Sequence, residues 1–355
     1  MSNLYKIGRR GFITTAATTL ITGPFTMIDA THTRDTKATP GRTNQTIQHY
    51  SNTFETIKQI DAGVLNVGYA ELGPPSGMPV ILLHGWPYDI HSYSEVATIL
   101  AAKGCRVLIP YLRGHGTTKF LKSSTARSGQ QAALGLDLIA FMDALHIKKA
   151  VLAGYDWGGR AACVAAALWP ERCIGLISVN GYLIQDIAKS WTPISPKIEA
   201  GFWYQFYFLT ERGRAGLTIN KRELIQLMWA RNSPNWRFTE QDFNQSMAAF
   251  DHPDYVNIVI HSYRHRLGYA EGAPEYNELE KRLANLPIIA VPTITLDGDS
   301  DGVVPATDGR SSAAKFGNNR QHRIISNAGH NLPQENPAAF AAAVWEIASK
   351  NKQQP

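Results

Sequence analysis

KAVLAGYDWGGRAACVAAALW, residues 149–169, is the stretch whose reading decides the fold. It opens with an unbroken apolar run, Ala150-Val151-Leu152-Ala153, of the kind found in strands covered on both faces. It closes with small apolar residues that continue at helical spacing over 158–168. Between the two lies Gly154-Tyr155-Asp156-Trp157-Gly158, with Gly159 next. This Gly-x-nucleophile-x-Gly spacing predicts a sharp strand-to-helix turn that pushes one side chain out above a sheet. That side chain is the carboxylate of Asp156, where a serine would be the usual choice. An aspartate at the start of a helix also suits an N-cap, so the turn alone leaves two readings of Asp156 open.

Outward from this turn, two alternating stretches, TFETIKQI and LNVGYAEL, predict strands joined by a turn at Asp61-Ala62-Gly63. Apolar runs at 78–85, 105–116 and 173–181 predict further buried strands. Helical patterns fill the intervals at about 91–103 and 127–147, the second placing Leu134, Leu138, Phe141 and Leu145 on one face. Strand and helix in alternation argue for an α/β fold, a mostly parallel, doubly wound sheet. The alternation stops near Leu183, and residues 184–290 read as an inserted helical lobe rich in aromatics. Strand patterns resume at 291–299 and 321–326 before a closing helix over 337–350. An insertion after a strand end should sit over the carboxyl edge of the sheet, where such folds bind ligands. The expected organisation is therefore a core of 51–183 and 291–355 with a cap of 184–290.

With 44% hydrophobic and 18% charged residues, the 355-residue chain has globular composition and enough length for a core and a lobe. The net charge of +6 is scattered, with no long basic run, which argues against a nucleic-acid partner. Arg9-Arg10-Gly11-Phe12-Ile13 introduces an apolar, threonine-rich stretch reaching Met27. Residues 1–30 resemble a twin-arginine export signal, which implies an exported bacterial protein, periplasmic or secreted, handled by export machinery. Residues 31–50 are polar and read as a linker. Cys105, Cys163 and Cys173 form no disulfide framework and are assigned no chemistry, although an oxidising compartment would permit a Cys163–Cys173 bridge.

Two later segments supply partners for Asp156. LDGDSDGVVP offers Asp299 and Asp301 after one predicted strand, and NAGHNLPQENP offers His330 after the last. Nucleophile, acid and histidine in this chain order match the order described for α/β-hydrolases. HGWP (84–87), GYDWGG and AGH resemble the epoxide hydrolase and haloalkane dehalogenase branch of that superfamily, and the likeness spans about 52–348. The family pattern implies Asp301 as the acid, a choice the residues themselves leave open. It also implies an oxyanion hole from the backbone N–H groups of Trp86 and Trp157. His84 reads as a structural hydrogen-bonding residue.

Chemistry accounts for the aspartate: a carboxylate attacking an acyl group would yield a reactive anhydride, whereas attack on a saturated carbon yields a stable ester. His330, oriented by Asp301, would then activate water to hydrolyse it. An epoxide oxygen leaving as an alkoxide needs a proton donor, and tyrosine is a suitable acid. FWYQFYF (202–208) is similar to the epoxide hydrolase cap segment Tyr-Gln-x-Tyr-Phe, which implies Tyr204 as a donor, and IHSYRHR (260–266) implies Tyr263. By composition alone both tyrosines read as packing residues, and Tyr207 reads as core. Departures from the relatives matter too. Trp86 stands where many haloalkane dehalogenases carry asparagine, and Trp157 where fluoroacetate dehalogenases carry arginine. The indole of Trp157 keeps halide binding open. The expectation is an epoxide hydrolase for small apolar or aromatic epoxides, needing water but no cofactor or metal. A dehalogenase using the same three residues is the alternative, and a non-catalytic binding protein is the rival from another class.

Overall fold

The computed structural model describes Phe54 and residues 56–351. The twin-arginine segment and the linker lie outside the described residues. Nine strands form one sheet: β1 (Lys58–Ala62), β2 (Leu65–Leu72), β3 (Met78–Leu83), β4 (Cys105–Pro110), β5 (Lys119–Phe120), β6 (Ala150–Gly154), β7 (Cys173–Val179), β8 (Thr293–Gly298) and β9 (Arg320–Ile325). Their spatial order is β1-β2-β4-β3-β6-β7-β8-β9, with the short β5 paired to β2. From β4 to β9 every pairing is parallel, and β2 runs antiparallel to both β1 and β4.

The central strands β3 and β6 are apolar, while β8 buries Thr293, Thr295 and Asp297 with hydrogen bonds to the Val291 carbonyl, His322 and the Thr307 N–H. All five residues of β6 and all six of β8 are buried, as is β3 from Val80 onward. The edge strand β9 is instead half-buried or exposed at every residue. Helix α1 (Ser94–Ala102) packs on the closing helix, and α2 (Gln131–Ala144) packs on α3 (Asp156–Leu168). Several boundaries differ from expectation, and two of the differences have a visible cause. The first hairpin turns at Gly63-Val64 because Ala62 pairs with Leu65 inside the ladder. Residues 127–130 stay outside α2, because the Arg127 guanidinium is engaged by the carbonyls of Lys122, Ser123 and Thr125 and by Asp254.

Seven helices separate β7 from β8: α4 (Pro196–Gly201), α5 (Trp203–Phe208), α6 (Glu211–Ile219), α7 (Lys221–Asn232), α8 (Glu240–Met247), α9 (Tyr255–Arg266) and α10 (Asn277–Ala284). Helices α11 (Leu332–Glu335) and α12 (Pro337–Asn351) end the described chain. Chain direction across the sheet reverses between β3 and β6, so the loops after these strands diverge and leave a crevice at their carboxyl ends. Cys163 and Cys173 are buried and not bridged; their sulfurs face Ser178 and the Gly175 carbonyl respectively.

Candidate active site

Five loops at the carboxyl ends of neighbouring strands converge on one place. Those after β3, β6, β7, β8 and β9 carry Trp86, Asp156, Asn180, Asp301 and His330 in turn. Asp156 takes a φ of +48, the left-handed conformation that a sharp elbow demands. The turn closes because Gly158 lies so near β3 that an added Cβ would stand 2.0 Å from the Leu83 carbonyl oxygen. Asp156 is thus the first residue of α3, and the N-cap position belongs to Tyr155.

The Asp156 carboxylate is divided between two environments. Its Oδ1 accepts a 2.7 Å hydrogen bond from the Trp86 N–H, and the Trp157 N–H also faces the group. Its Oδ2 lies 3.8 Å from His330 Nε2, an ion-pair distance too long for a hydrogen bond. On the far side of the ring, His330 Nδ1 donates to Asp301 Oδ2 at 2.9 Å. Asp301 is anchored in turn: its Oδ1 accepts from the N–H groups of Val303 and Val304, and its Oδ2 from the Asn180 amide. Asp299 points elsewhere and ties the loop through the Asn327 N–H and the Ser300 hydroxyl.

Burial penalises every charge here, so the pairings decide the protonation states. Burial raises the Asp156 carboxyl, but His330 and the two tryptophan N–H groups outweigh it and bring it below the ordinary range. Burial lowers His330, but Asp301 and Asp156 outweigh it and push the imidazole up to about 10. At neutral pH the resting site therefore holds an imidazolium between two carboxylates.

Tyr204 on α5 and Tyr263 on α9 close over this arrangement. Their rings lie 5.4 Å apart, and the Trp86 ring sits 5.6 Å from the first and 5.3 Å from the second. Burial and the charge of Asp156 push Tyr204 up to about 12, and burial, Tyr204 and Asp156 hold Tyr263 well above the ordinary phenol range. Both hydroxyls are therefore held protonated. The Tyr263 hydroxyl and the Trp157 indole N–H are buried without a well-formed hydrogen bond, and their rings are 5.8 Å apart. A buried hydroxyl beside Asp156 without a well-formed partner suits a ligand's oxygen, and the indole N–H beside that hydroxyl suits a halide. Tyr207 lies apart from Asp156 and packs on Trp203 and Gly216. His84 is fully buried, with Nδ1 toward the Gly85 carbonyl and Nε2 accepting from the Leu112 N–H, so both nitrogens serve the backbone.

The family model described as the α/β hydrolase fold matches residues 78–337. This chain belongs to the α/β-hydrolase fold family. Among solved structures, this α/β-hydrolase is 49% identical to a candidate epoxide hydrolase from Klebsiella pneumoniae, covering 85% of this chain and 100% of that one with a TM-score of 0.82. It is 23% identical to Epoxide hydrolase A of Mycobacterium tuberculosis over 82% of this chain and 97% of that protein. It is also 26% identical to a haloalkane dehalogenase from Psychrobacter cryohalolentis over 81% and 88% of the two chains. The chain is thus an epoxide hydrolase-like enzyme.

Sequence reading missed Asn180, whose left-handed φ of +64 and amide aimed at Asp301 follow from its place at the end of β7. Its signal was the Asn180-Gly181 pair after an apolar run. Tyr255 was missed as well. Its hydroxyl accepts from the Trp86 indole at 2.8 Å and so orients that ring, a contact no local pattern marks.

Proposed function

We propose that this α/β-hydrolase converts epoxides to vicinal diols through an ester on Asp156. The observation that carries the reading is the meeting of a carboxylate on the elbow with two buried, protonated tyrosine hydroxyls contributed by α5 and α9. Asp156 Oδ2 attacks an epoxide carbon, the carbon–oxygen bond breaks, and the departing oxygen takes a proton from Tyr204 or Tyr263. Esterification removes the charge of Asp156, so His330 loses one of its two anionic partners. The imidazolium then releases its proton, which restores the tyrosine.

Neutral His330, kept in orientation by Asp301, takes a proton from a water that adds to the ester carbon. The oxyanion forms on Oδ1, which already rests on the Trp86 N–H, so the donors need no rearrangement. Collapse breaks the bond to the alkyl oxygen, which leaves with the hydroxyl proton of the tetrahedral intermediate. Carboxylate and imidazolium are regenerated. The rings of Trp86, Trp157 and Phe208 around the tyrosines support an apolar or aromatic epoxide as substrate. The Arg9-Arg10 segment supports export as the setting.

A second reading, dehalogenation on the same Asp156, is favoured by the unspent Trp157 indole N–H and by the relative named haloalkane dehalogenase. One experiment separates the two. His330→Gln should block ester hydrolysis, and its intact mass is taken after exposure to a panel of epoxides and haloalkanes. A gain equal to the whole epoxide, abolished by adding Asp156→Asn, is the expected result. A gain short of the haloalkane by hydrogen halide would favour dehalogenation, and no adduct from either class would sink both readings.

A further inference from the structure

The loop that carries His330 is gripped by the carboxylate of Glu335 and by the last turn of a cap helix. Glu335 Oε2 accepts from the Gly329 N–H at 2.7 Å, and its Oε1 accepts from the Asn331 N–H at 3.1 Å and the Ser233 hydroxyl at 2.5 Å. The N–H between these two, that of His330, donates to the Asn232 carbonyl at 3.2 Å. Three consecutive N–H groups are therefore spent on Glu335 and the end of α7. The same Asn232 carbonyl accepts from Gly302 at 2.9 Å, one residue beyond Asp301. One cap carbonyl thus sets the positions of the acid loop and the base loop together.

The approach is close enough to dictate residue type. A Cβ on Gly302 would stand 1.9 Å from the Arg231 carbonyl oxygen, and one on Gly329 would stand 2.7 Å from Ser233 Cα. Helix α7 reaches the oxyanion loop as well, since the Trp229 indole donates to the Pro87 carbonyl at 2.7 Å. We infer that Glu335 and Ser233 are positioning residues for the hydrolytic half of the reaction, and that the end of α7 is a fixed keystone holding His330 to Asp301 and toward Asp156. This inference rests on the proposed ester mechanism. It separates the two half-reactions, because attack by Asp156 needs no particular placement of the imidazole, whereas proton removal from water does.

The charge of Glu335 acts on His330 too. The groups facing the imidazole are Asp156, Asp301 and the Tyr155 ring, and Glu335, raised by burial and lowered by its hydrogen bonds and by His330, adds negative charge near the cationic ring. The test uses the full chain with Glu335→Gln and Ser233→Ala, and styrene oxide as probe. Rapid quench and intact mass follow ester formation and ester loss separately. The expectation is ester formation within about threefold of wild type and ester hydrolysis slowed roughly 10- to 100-fold, so that ester accumulates. In resting Glu335→Gln, with no substrate present, the His330 imidazole followed by NMR should titrate at lower pH, while Ser233→Ala should leave that titration near wild type. Equal slowing of both steps, or no slowing with an unmoved titration, would overturn the inference. A wild type that forms no ester would overturn the proposed function, and a titration shift in Glu335→Gln alongside it would show that only the contact between Glu335 and the His330 loop survives, not its role in hydrolysis.

Discussion

Removing the phenol of Tyr204 should slow epoxide opening by about two orders of magnitude and leave attack on haloalkanes nearly untouched. Burial and the Asp156 charge push this phenol up to about 12. The oxygen it would protonate in the proposed reaction leaves as an alkoxide, a much stronger base than a phenolate, so the transfer runs toward the alkoxide. A positioned general acid contributes about 10²- to 10⁴-fold, and the low end applies to Tyr204 because a second donor stands beside it. At about 1.4 kcal/mol for each factor of ten, that is about 2.7 kcal/mol, or about 100-fold in rate. Tyr263 lies beside it, ring to ring at 5.4 Å, so Tyr204→Phe leaves one donor in place and the double Tyr→Phe variant should lose about 10⁴-fold. The assay is single-turnover ester formation in a His330→Gln background, read by intact mass with an epoxide and, in parallel, a bromoalkane. A halide departs without a proton, so only the epoxide should respond. Equal slowing with both substrates, or wild-type ester formation from the epoxide in the double variant, would refute the reasoning.

Stability should depend on pH through the same charges. His330 is raised from 6.5 to about 10, so its contribution to folding is fully present below about 6.5 and is lost as pH rises through about 10. Asp156 is lowered, so its contribution is present above its ordinary 3.8 and is lost as pH falls through the depressed value. The difference in unfolding free energy between wild type and His330→Gln, measured in urea, should accordingly shrink from pH 7 to pH 10, and a constant difference would count against the paired imidazolium. Gly158→Ala would set a methyl 2.0 Å from the Leu83 carbonyl oxygen. Its cost should be about 1–3 kcal/mol and a Tm lower by roughly 3–10 °C, with loss of ester formation; an unchanged Tm by calorimetry would show that the elbow can open.

Much of the scaffold was legible because strands buried on both faces must be apolar along their whole length. Val80–Leu83 and Ala150–Gly154 announce themselves that way, and Gly154 and Gly158 mark the elbow that follows, whereas Thr293–Gly298 is buried with Thr293, Thr295 and Asp297 among its residues and is marked by its Thr-Ile-Thr-Leu alternation. The two-residue β5 was not legible, since Lys119-Phe120 pairs with β2 through backbone groups and carries no periodic pattern. Asp299 and Asp301 are indistinguishable in composition, and the resemblance to a family pointed to the second. The fold separates them by sending one carboxylate to the Asn327 N–H and the other to His330.

By itself, the chain's order of residues determined the parallel sheet, the turn on which Asp156 stands, and the chemistry a carboxylate there can perform. Short-range geometry suffices for these, because burial and turn formation are written in neighbouring residues. Only the tertiary structure decided that Asp156 Oδ1 rests on the Trp86 N–H, 70 residues away in the chain, and that Ser233 reaches Glu335 across 102. It likewise decided that tyrosines from α5 and α9 come together over the carboxylate. Such contacts are set by how whole strands and helices pack, and a hydrogen bond between distant loops leaves no period in the sequence from which it could be read.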